Sequence, residues 1–247
     1  MKVALVTGAS RGIGAATAID LAAKGYDVCV NYKSNQAAAL QVVAKIHQLG
    51  QKAIAVKADV SKESDVVTLF NQLDEQLGPL SALVNNAAIL FPQTRVEHLT
   101  AERVNTLLAT NVTGVFLCCR EAIQRMSKKY GGKGGAIVNV SSVAARSGSP
   151  NEYVDYAASK GAIDTLTTGL SLEVAEQGIR VNGVRPGFIH TDMHADGGEP
   201  DRINRLKSQI PLKRGGQPAE VASAITYLLS DEASYITGSF IDLAGGK

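Results

Sequence analysis

Short apolar segments alternate with longer amphipathic segments along most of the chain. Apolar residues recur at helical spacing in the longer segments, whereas the short ones are rich in β-branched residues. In the first half this pattern predicts strands over residues 2–7, 27–32 and 52–57, with helices over 13–24, 36–49 and 62–77. In the second half it predicts strands over 82–85, 136–140, 179–184 and 240–243, with helices over 105–126, 156–176 and 219–229.

The strand segments are apolar on both of their faces, as in VALV at 3–6 and AIVNV at 136–140. Strands of this kind occur where helices cover a parallel sheet on both sides. Strand–helix alternation predicts right-handed βαβ units. We therefore expect an α/β fold, a doubly wound Rossmann sheet of about seven parallel strands, with residues 1–247 forming a single domain.

Composition narrows the functional classes. Hydrophobic residues make up 45% and charged residues 19% of the chain, a balance typical of a globular protein. The formal net charge of +2 gives no reason to expect nucleic-acid binding. No signal peptide or membrane-spanning run is predicted, so we expect a cytoplasmic protein. Cys29, Cys118 and Cys119 are expected to be reduced, buried thiols.

A glycine-rich turn follows the first predicted strand and opens the first helix. Its sequence is TGASRGIG, residues 7–14. Backbone N–H groups of such a turn, together with the helix amino terminus, can surround a pyrophosphate, although glycine turns also join strands and helices without any ligand. The candidate coenzyme contacts in this turn are Gly8, Ser10, Arg11, Gly12, Ile13 and Gly14.

The end of the second strand bears on which dinucleotide would bind. NAD-binding folds carry a carboxylate about 20 residues beyond the glycines, where it binds the ribose 2′-hydroxyl. Here the residues are Asn31, Tyr32 and Lys33. Because no carboxylate stands there to repel a 2′-phosphate, and Arg11 and Lys33 could pair with one, the sequence favours NADP(H), with NAD(H) as the alternative.

A phenol and an ammonium lie four residues apart at Tyr156 and Lys160, on one face of a predicted helix. A phenol that titrates near 10 must lose roughly 2 to 3 pKa units to act as a base near neutral pH. A cation about 4 Å away, at an effective dielectric of about 20, supplies roughly 4 kcal/mol. We therefore expect Lys160 to lower the pKa of Tyr156. Ser141 and Ser142 end a buried strand just upstream.

Together, TGASRGIG at 7–14, Asn111 in NVTG, the serines in VNVSS and YAASK at 156–160 resemble the motifs of the short-chain dehydrogenase/reductase family. The resemblance implies hydride transfer between C4 of a nicotinamide and a carbonyl carbon, with Tyr156 transferring the proton. It implies that Ser142 orients the substrate oxygen and that Asn111 supports a proton relay with Lys160. Ser142 is preferred to Ser141 because the family serine precedes a small apolar residue, here Val143.

The same resemblance assigns further residues to the coenzyme. Asp59 and Val60 are expected near the adenine, with Asn86, Ala87 and Ala88 after the fourth strand. Pro186, Gly187, Ile189 and Thr191 follow the sixth strand, and Ile189 and Thr191 are expected to meet the carboxamide. Tyr153 has Ala157 four residues later, so we exclude it as the acid–base group and expect it to line the substrate pocket.

No metal is expected. His190, Asp192, His194 and Asp196 have the side chains of a metal site. The chemistry that the family resemblance implies needs no metal, however, and we interpret residues 190–207 as a polar lid over the substrate.

The substrate remains open between alternatives. The segments 151–175 and 186–200 resemble a bacterial group described as sugar or polyol dehydrogenases of glucose/ribitol type, which favours a small polar alcohol or carbonyl. A 3-oxoacyl-[acyl-carrier-protein] reductase is the rival enzyme, with docking charges at Arg120, Arg125, Lys128 and Lys129. A non-catalytic dinucleotide sensor is the alternative from another class. The family resemblance also leads us to expect a homotetramer.

Overall fold

Seven parallel strands form one sheet in the computed structural model, which describes residues 2–247. The spatial order is β3-β2-β1-β4-β5-β6-β7. The strands are β1 Lys2–Val6, β2 Tyr26–Tyr32, β3 Ala53–Lys57, β4 Ala82–Asn85, β5 Gly135–Val140, β6 Ile179–Pro186 and β7 Phe240–Leu243. The predicted doubly wound sheet of seven strands is confirmed.

Helices cover both faces of this sheet. They are α1 Gly12–Ala23, α2 Gln36–Gln48, α3 Glu63–Leu77, α4 Ala101–Leu108, α5 Gly114–Met126, α6 Ala144–Ser147, α7 Val154–Val174, α8 Met193–Asp196, α9 Arg202–Leu206 and α10 Pro218–Leu229. Side chains of α1, α2 and α10 pack on one face, and those of α3, α5 and α7 pack on the other. Consecutive residues of β1 therefore pack on opposite faces of the sheet: Val6 lies in the core formed with α1, α2 and α10, and Leu5 in the core formed with α3, α5 and α7.

The helix predicted over residues 105–126 is interrupted in the structure. The segment 105–126 is not a single α-helix, because a π-helical turn, Ala109–Thr113, separates α4 from α5. Such turns insert an extra residue into a helix and often lie at functional sites. The whole stretch Ala101–Met126 is long and apolar enough to cross a membrane by length and composition, but half of the apolar window is buried inside the fold. Helices in the core of a folded protein can have the same length and apolar composition.

The direction of winding reverses between β1 and β4, which are neighbours in the sheet. Ligands of doubly wound sheets bind at the carboxyl ends of the strands beside such a reversal. The three cysteines are free and buried, as the sequence predicted. Burial raises the pKa of each thiol, so they are not reactive nucleophiles under ordinary conditions.

Candidate active site

A cavity of about 420 Å³ opens at the carboxyl ends of the strands. Its lining brings together Ser142, Tyr156 and Lys160 with Ile13 of the glycine turn and Ile189 after β6. These residues come from four separate parts of the chain: α1, the segment after β5, helix α7 and the segment after β6. The cavity therefore contains both the predicted acid–base group and segments predicted to hold a dinucleotide.

The glycine turn is built so that side chains would not fit at its key positions. Gly8 and Gly12 have φ values of +61° and +57°, a conformation that L side chains rarely adopt. A Cβ on Gly14 would lie 2.5 Å from both Asn86 Nδ2 and Gly8 O. The close approach of backbone segments therefore depends on the absence of side chains.

The turn is fixed by hydrogen bonds to the loop after β4. Asn86 Nδ2 donates to the carbonyls of Thr7 and Gly8 at 2.9 and 3.1 Å. The Thr7 hydroxyl accepts from the backbone N–H groups of Asn86 and Ala87, both at 3.0 Å. Sequence reasoning missed Thr7, although its place at the end of β1 beside the glycines was a usable signal.

These features fit the pyrophosphate of a dinucleotide. Arg11, the N-cap of α1, makes no side-chain cap to the first turn. The first N–H groups of a helix have no partner within the helix, and they attract an anion. The turn from Gly8 to Gly14 would thus hold the phosphates. A bound nicotinamide would supply the hydride acceptor or donor.

Asn31 supports the turn from behind. Its Oδ1 accepts from the Gly8 N–H at 3.1 Å, and its Nδ2 donates to the carbonyls of Val56 and Ala58 at 3.3 and 3.1 Å. The residue is only 2% exposed. Its side-chain polar atoms are therefore committed to the protein, and it positions the turn rather than presenting a group to a ligand. Tyr32 is buried beside it.

Lys33 and Asp59 form a pair at the ends of β2 and β3. Lys33 Nζ lies 2.8 Å from Asp59 Oδ2. Burial opposes ionisation of Asp59, but hydrogen bonds from Lys33 and Ser61 outweigh it, so the pKa of this carboxyl lies below its usual value. The carboxylate of Asp59 therefore lies beside Lys33. The prediction of NADP(H) from residues 31–33 did not take this carboxylate into account. Val60, the next residue, is buried in the core.

Arg11 also has carboxylate partners. Its guanidinium forms a salt bridge with Asp196 on α8 and lies 3.7 Å from Asp192. All three side chains are largely exposed, so these pairs contribute little stability. A Cβ on Gly12 would lie 3.3 Å from the Thr191 side chain. The glycine turn and the start of the lid are therefore neighbours across the cavity.

Helix α7 places the phenol and the ammonium on the face that borders the cavity. Lys160 Nζ lies 5.6 Å from the centre of the Tyr156 ring. The ammonium donates to the Val140 carbonyl at 2.7 Å, which ties α7 to the end of β5. Lys160 is only 3% exposed. Residues Val154–Val174 thus carry the two groups at the spacing that the sequence predicted.

The pKa of Tyr156 is raised and not lowered as the sequence predicted, and the pKa of Lys160 is lowered. Burial raises the pKa of Tyr156 to about 12, and the neighbouring Ser142 hydroxyl only partly opposes this. Burial lowers the pKa of Lys160 to about 8, with Asp164 opposing. In the protein without coenzyme, desolvation penalises the charged form of both residues and outweighs the effect that we expect of Lys160 on the phenol. Further positive charge near the phenol is needed for it to ionise near neutral pH.

The two serines after β5 have different environments. The Ser141 hydroxyl donates to Asp164 Oδ1 at 2.6 Å, so it faces α7 and the fold interior. The Ser142 hydroxyl accepts from the Ala144 N–H at 3.1 Å and lies 3.4 Å from the Pro186 carbonyl. Only Ser142 acts on the phenol pKa. The geometry therefore favours Ser142 as the residue beside a substrate oxygen.

Asn111 lies in the π-helical turn and is fully buried. Its Oδ1 accepts from the Ile89 N–H at 2.8 Å, and its Nδ2 donates to the Ile89 carbonyl at 3.0 Å. Nδ2 also donates to the Ser159 hydroxyl at 3.3 Å, and Ser159 is the residue before Lys160. Asn111 thus joins the loop after β4 to the catalytic helix.

The segment after β6 forms the opposite wall. Pro186, Gly187, Ile189 and Thr191 all border the cavity, as do Asn86 and Ala88 after β4. A Cβ on Gly187 would lie 3.0 Å from Ala244 Cα, so the glycine allows close approach of the carboxyl-terminal segment. Ala87 packs against Gly8. Ser10 lies in the turn, partly exposed, with no contact to these segments that argues for or against its predicted role.

The lid closes over the cavity through polar contacts. The Tyr153 hydroxyl donates to the Gly197 carbonyl at 3.0 Å, and Tyr153 lines the cavity. Arg202 on α9 forms salt bridges with Glu152 and Glu199. His194 lines the cavity with its Nε2 at 2.9 Å from the Ile189 carbonyl. Burial is the main cause that lowers the pKa of His194.

The residues considered for a metal site have separate partners. Asp192 and Asp196 are paired with Arg11, and His194 contacts a backbone carbonyl. Along residues 2–247, no three histidine, cysteine, aspartate or glutamate side chains gather in a way that could hold a metal ion. The lid carboxylates instead neutralise a cation of the glycine turn.

Two of the proposed carrier-docking cations are already paired. Arg120 contacts Glu63 at 2.5 Å and Glu121 at 3.0 Å. Arg125 contacts Asp74 at 2.7 Å and Glu121 at 2.9 Å. These contacts link α3 to α5 and reduce the positive charge available to an acidic partner. Lys128 and Lys129 lie in a short 3₁₀ turn after α5.

Comparison with known proteins gives matches over nearly the whole chain. The family described as Enoyl-(Acyl carrier protein) reductase matches residues 8–247. "Uncharacterized oxidoreductase YgfF" of Escherichia coli strain K12 is 68% identical over 100% of both chains. The 3-oxoacyl-[acyl-carrier-protein] reductase FabG of Staphylococcus aureus strain Mu50 is 38% identical over 99% of this chain and 97% of the relative.

A solved structure shares the fold closely. It is a short chain dehydrogenase from Burkholderia cenocepacia J2315 in complex with NADP. The TM-score is 0.91 and the sequence identity 34%, with 99% of this chain and 97% of that chain covered. The similarity therefore extends through both the glycine turn and the lid.

Proposed function

The chain belongs to the short-chain dehydrogenase/reductase family and is an NAD(P)-dependent oxidoreductase, and on that premise we propose that it prefers NADP(H) and interconverts a small polar carbonyl with its alcohol. The observation that carries this proposal is the single cavity that contains Ser142, Tyr156 and Lys160 beside the glycine turn. A small sugar or polyol is the substrate class that we favour.

In the reductive direction the substrate carbonyl lies beside Ser142 and Tyr156. A bound reduced nicotinamide would supply hydride to the carbonyl carbon, and the phenol of Tyr156 gives its proton to the substrate oxygen. A phenol with a raised pKa holds that proton at neutral pH, which suits it as the acid of the reductive step. Lys160, anchored on the Val140 carbonyl, stands next to the phenol to help restore the proton.

The NADP(H) preference is supported by Arg11 and Lys33, which border the glycine turn and the end of β2. Both cations have carboxylate partners, Asp196 and Asp59. A 2′-phosphate would compete with these carboxylates, since phosphate offers more acceptor oxygens and charge than a carboxylate does. The related Burkholderia structure contains NADP, which supports the same coenzyme here.

Reduction of a 3-oxoacyl chain on a carrier protein is the second candidate. It is favoured by the 38% identity to the FabG reductase of Staphylococcus aureus. The pairing of Arg120 and Arg125 with acidic neighbours weighs against the docking surface that this activity needs. A non-catalytic dinucleotide sensor is the less favoured alternative, because a protein with that role would not need Asn111, Ser142, Tyr156 and Lys160 together.

The deciding experiment follows NADPH absorbance with the purified enzyme. The substrates are aldehydes, ketones, ketoses and a 3-oxoacyl thioester, free and carrier-linked, with each run repeated with NADH. We expect turnover of small polar carbonyls that is faster with NADPH and is lost in Tyr156→Phe. Exclusive turnover of the carrier-linked thioester would establish the second candidate instead, and no Tyr156-dependent turnover of any carbonyl would contradict both.

We also propose that the enzyme is a cytoplasmic homotetramer, as is common in its family. Light scattering of the purified protein at several concentrations tests the assembly. A stable monomer across that range would contradict it.

A further inference from the structure

The charged side chains that line the cavity all carry the same sign. They are Arg146, Lys160, Arg202 and Lys247, and no aspartate or glutamate of residues 2–247 joins them in the lining. Lys160 belongs to the reaction described above. Of the other three, Arg146 pairs with Asp242, and Arg202 pairs with Glu152 and Glu199, which leaves Lys247 without a carboxylate side-chain partner among residues 2–247.

Two of these cations converge on one aromatic ring. The Arg202 guanidinium carbon lies 5.5 Å from the centre of the Phe188 ring, and Lys247 Nζ lies 5.1 Å from the same centre. Phe188 itself lines the cavity, in the segment that follows β6. Arg202 is only 6% exposed, so its position is fixed by packing rather than by solvent.

At this end of the cavity, three cationic side chains stand beside two carboxylate side chains. Glu152 and Glu199 each pair with Arg202 and also with Arg205, so two carboxylates serve two guanidinium groups. Lys247 Nζ contacts a neutral amide oxygen, that of Gln209, at 3.3 Å. Lys247 therefore adds a cation that no carboxylate side chain in this network balances.

We propose that the substrate carries an anionic group, a carboxylate or a phosphate, in addition to its reacting carbonyl. Lys247 and Arg202 hold that anion beside Phe188 while the carbonyl faces Ser142 and Tyr156. This inference rests on the proposed function and refines its substrate from a neutral sugar or polyol to an oxo acid, sugar acid or phosphate ester. A lining cation that no carboxylate side chain neutralises attracts an anion and raises its local concentration.

The test uses matched pairs that differ in one charge. The carboxylate arm compares acetoacetate with methyl acetoacetate, and the phosphate arm compares dihydroxyacetone phosphate with dihydroxyacetone. We measure kcat and KM for each with NADPH, in the unaltered enzyme and in Lys247→Gln, Lys247→Glu and the control Lys45→Gln. Lys45 is exposed on α2 and does not line the cavity.

In at least one arm we expect the anion to have about tenfold higher kcat/KM than its neutral partner. Lys247→Gln should reduce that ratio about threefold through KM, since the exposed cation contributes binding energy but no chemistry. Lys247→Glu should abolish it, Lys45→Gln should leave it unchanged, and added salt should weaken it. The arm that shows the preference identifies the anion.

Equal or lower kcat/KM for both anions would overturn the inference, as would a ratio that Lys247→Glu leaves unchanged. A rise in KM for NADPH in Lys247→Gln with an unchanged ratio would also overturn it, by assigning the cation to the coenzyme. Tyr156-dependent turnover of neutral carbonyls would still support the proposed function in each case. Failure of the whole carbonyl screen would contradict the function itself.

Discussion

Arg103 Nε donates to Asp155 Oδ2 at 2.8 Å, and this ion pair joins α4 to the residue that precedes Tyr156. The other carboxylate oxygen of Asp155 accepts from the Tyr156 N–H at 2.9 Å. The Asp155 side chain is only 2% exposed. A buried pair thus fixes the amino-terminal turn of the catalytic helix.

Arg103→Ala should destabilise the protein by about 3 kcal/mol, because it leaves a buried carboxylate without its cation. Urea unfolding of the variant and the unaltered protein measures the difference. Asp231→Ala, which breaks the exposed Lys2–Asp231 pair, is the matched control and should have little effect. Similar losses in the two variants would show that burial of the Arg103–Asp155 pair does not matter.

Tyr156→Phe should lower kcat by roughly 10²- to 10⁴-fold, the usual contribution of a general acid or base. Coenzyme affinity, measured by NADPH fluorescence, should change far less, since the phenyl ring still fills its place. Tyr153→Phe is the comparison, because Tyr153 has no lysine four residues later and should lower kcat much less. Comparable kcat values for Tyr156→Phe and the unaltered enzyme would refute the assignment.

The depressed pKa of Lys160 predicts a particular dependence of stability on pH. Its pKa is about 8 in the folded protein against 10.5 for an ordinary lysine. Between these values the unfolded chain binds more protons than the folded one, so the contribution of Lys160 to stability rises with pH. Below about pH 8 the cost of burying the ammonium is fully present.

Replacing Lys160 with Met removes that cost. The stability of Lys160→Met relative to the unaltered protein should therefore be highest below pH 8 and should fall as the pH rises from 8 to 10. Thermal unfolding of both proteins at several pH values gives this difference, and Lys45→Met serves as the exposed control. A difference that does not vary over this window would mean that the ammonium is not desolvated.

Arg11→Ala should raise KM for NADPH about tenfold and change KM for NADH much less, because only NADPH carries the 2′-phosphate. Asp196→Asn should act in the opposite direction, since it releases Arg11 from a competing carboxylate. Steady-state kinetics with both coenzymes measures these effects. If Arg11→Ala changed KM for NADPH and KM for NADH equally, Arg11 would contact a group present in both coenzymes and not the 2′-phosphate.

Gly14→Ala should weaken binding of both coenzymes and lower the melting temperature. Its new Cβ would lie 2.5 Å from Gly8 O, a backbone atom that cannot move without distorting the turn. Ala15→Ser, at the next position of α1, is a small change outside this close approach. Unchanged coenzyme affinity and melting temperature in Gly14→Ala would contradict the close packing of the turn.

The fold could be predicted because its pattern is local. Strands covered on both sides, such as β1 and β5, must be apolar on both faces, and this is visible in the sequence itself. The shared face of Tyr156 and Lys160 was predictable for a similar reason, since helical geometry alone places residues four apart together. These features depend on the backbone period and not on distant contacts.

The remaining features depend on contacts between distant residues, and only the tertiary structure decided them. The break in the helix at Ala109–Thr113 accompanies bonds from Asn111 to Ile89, 22 residues earlier. The partner of Arg11 is 185 residues away, at Asp196. The high pKa of Tyr156 reflects how much of the fold surrounds the phenol. Desolvation and charge pairing sum over everything nearby in space, and the order of residues along the chain does not contain that sum.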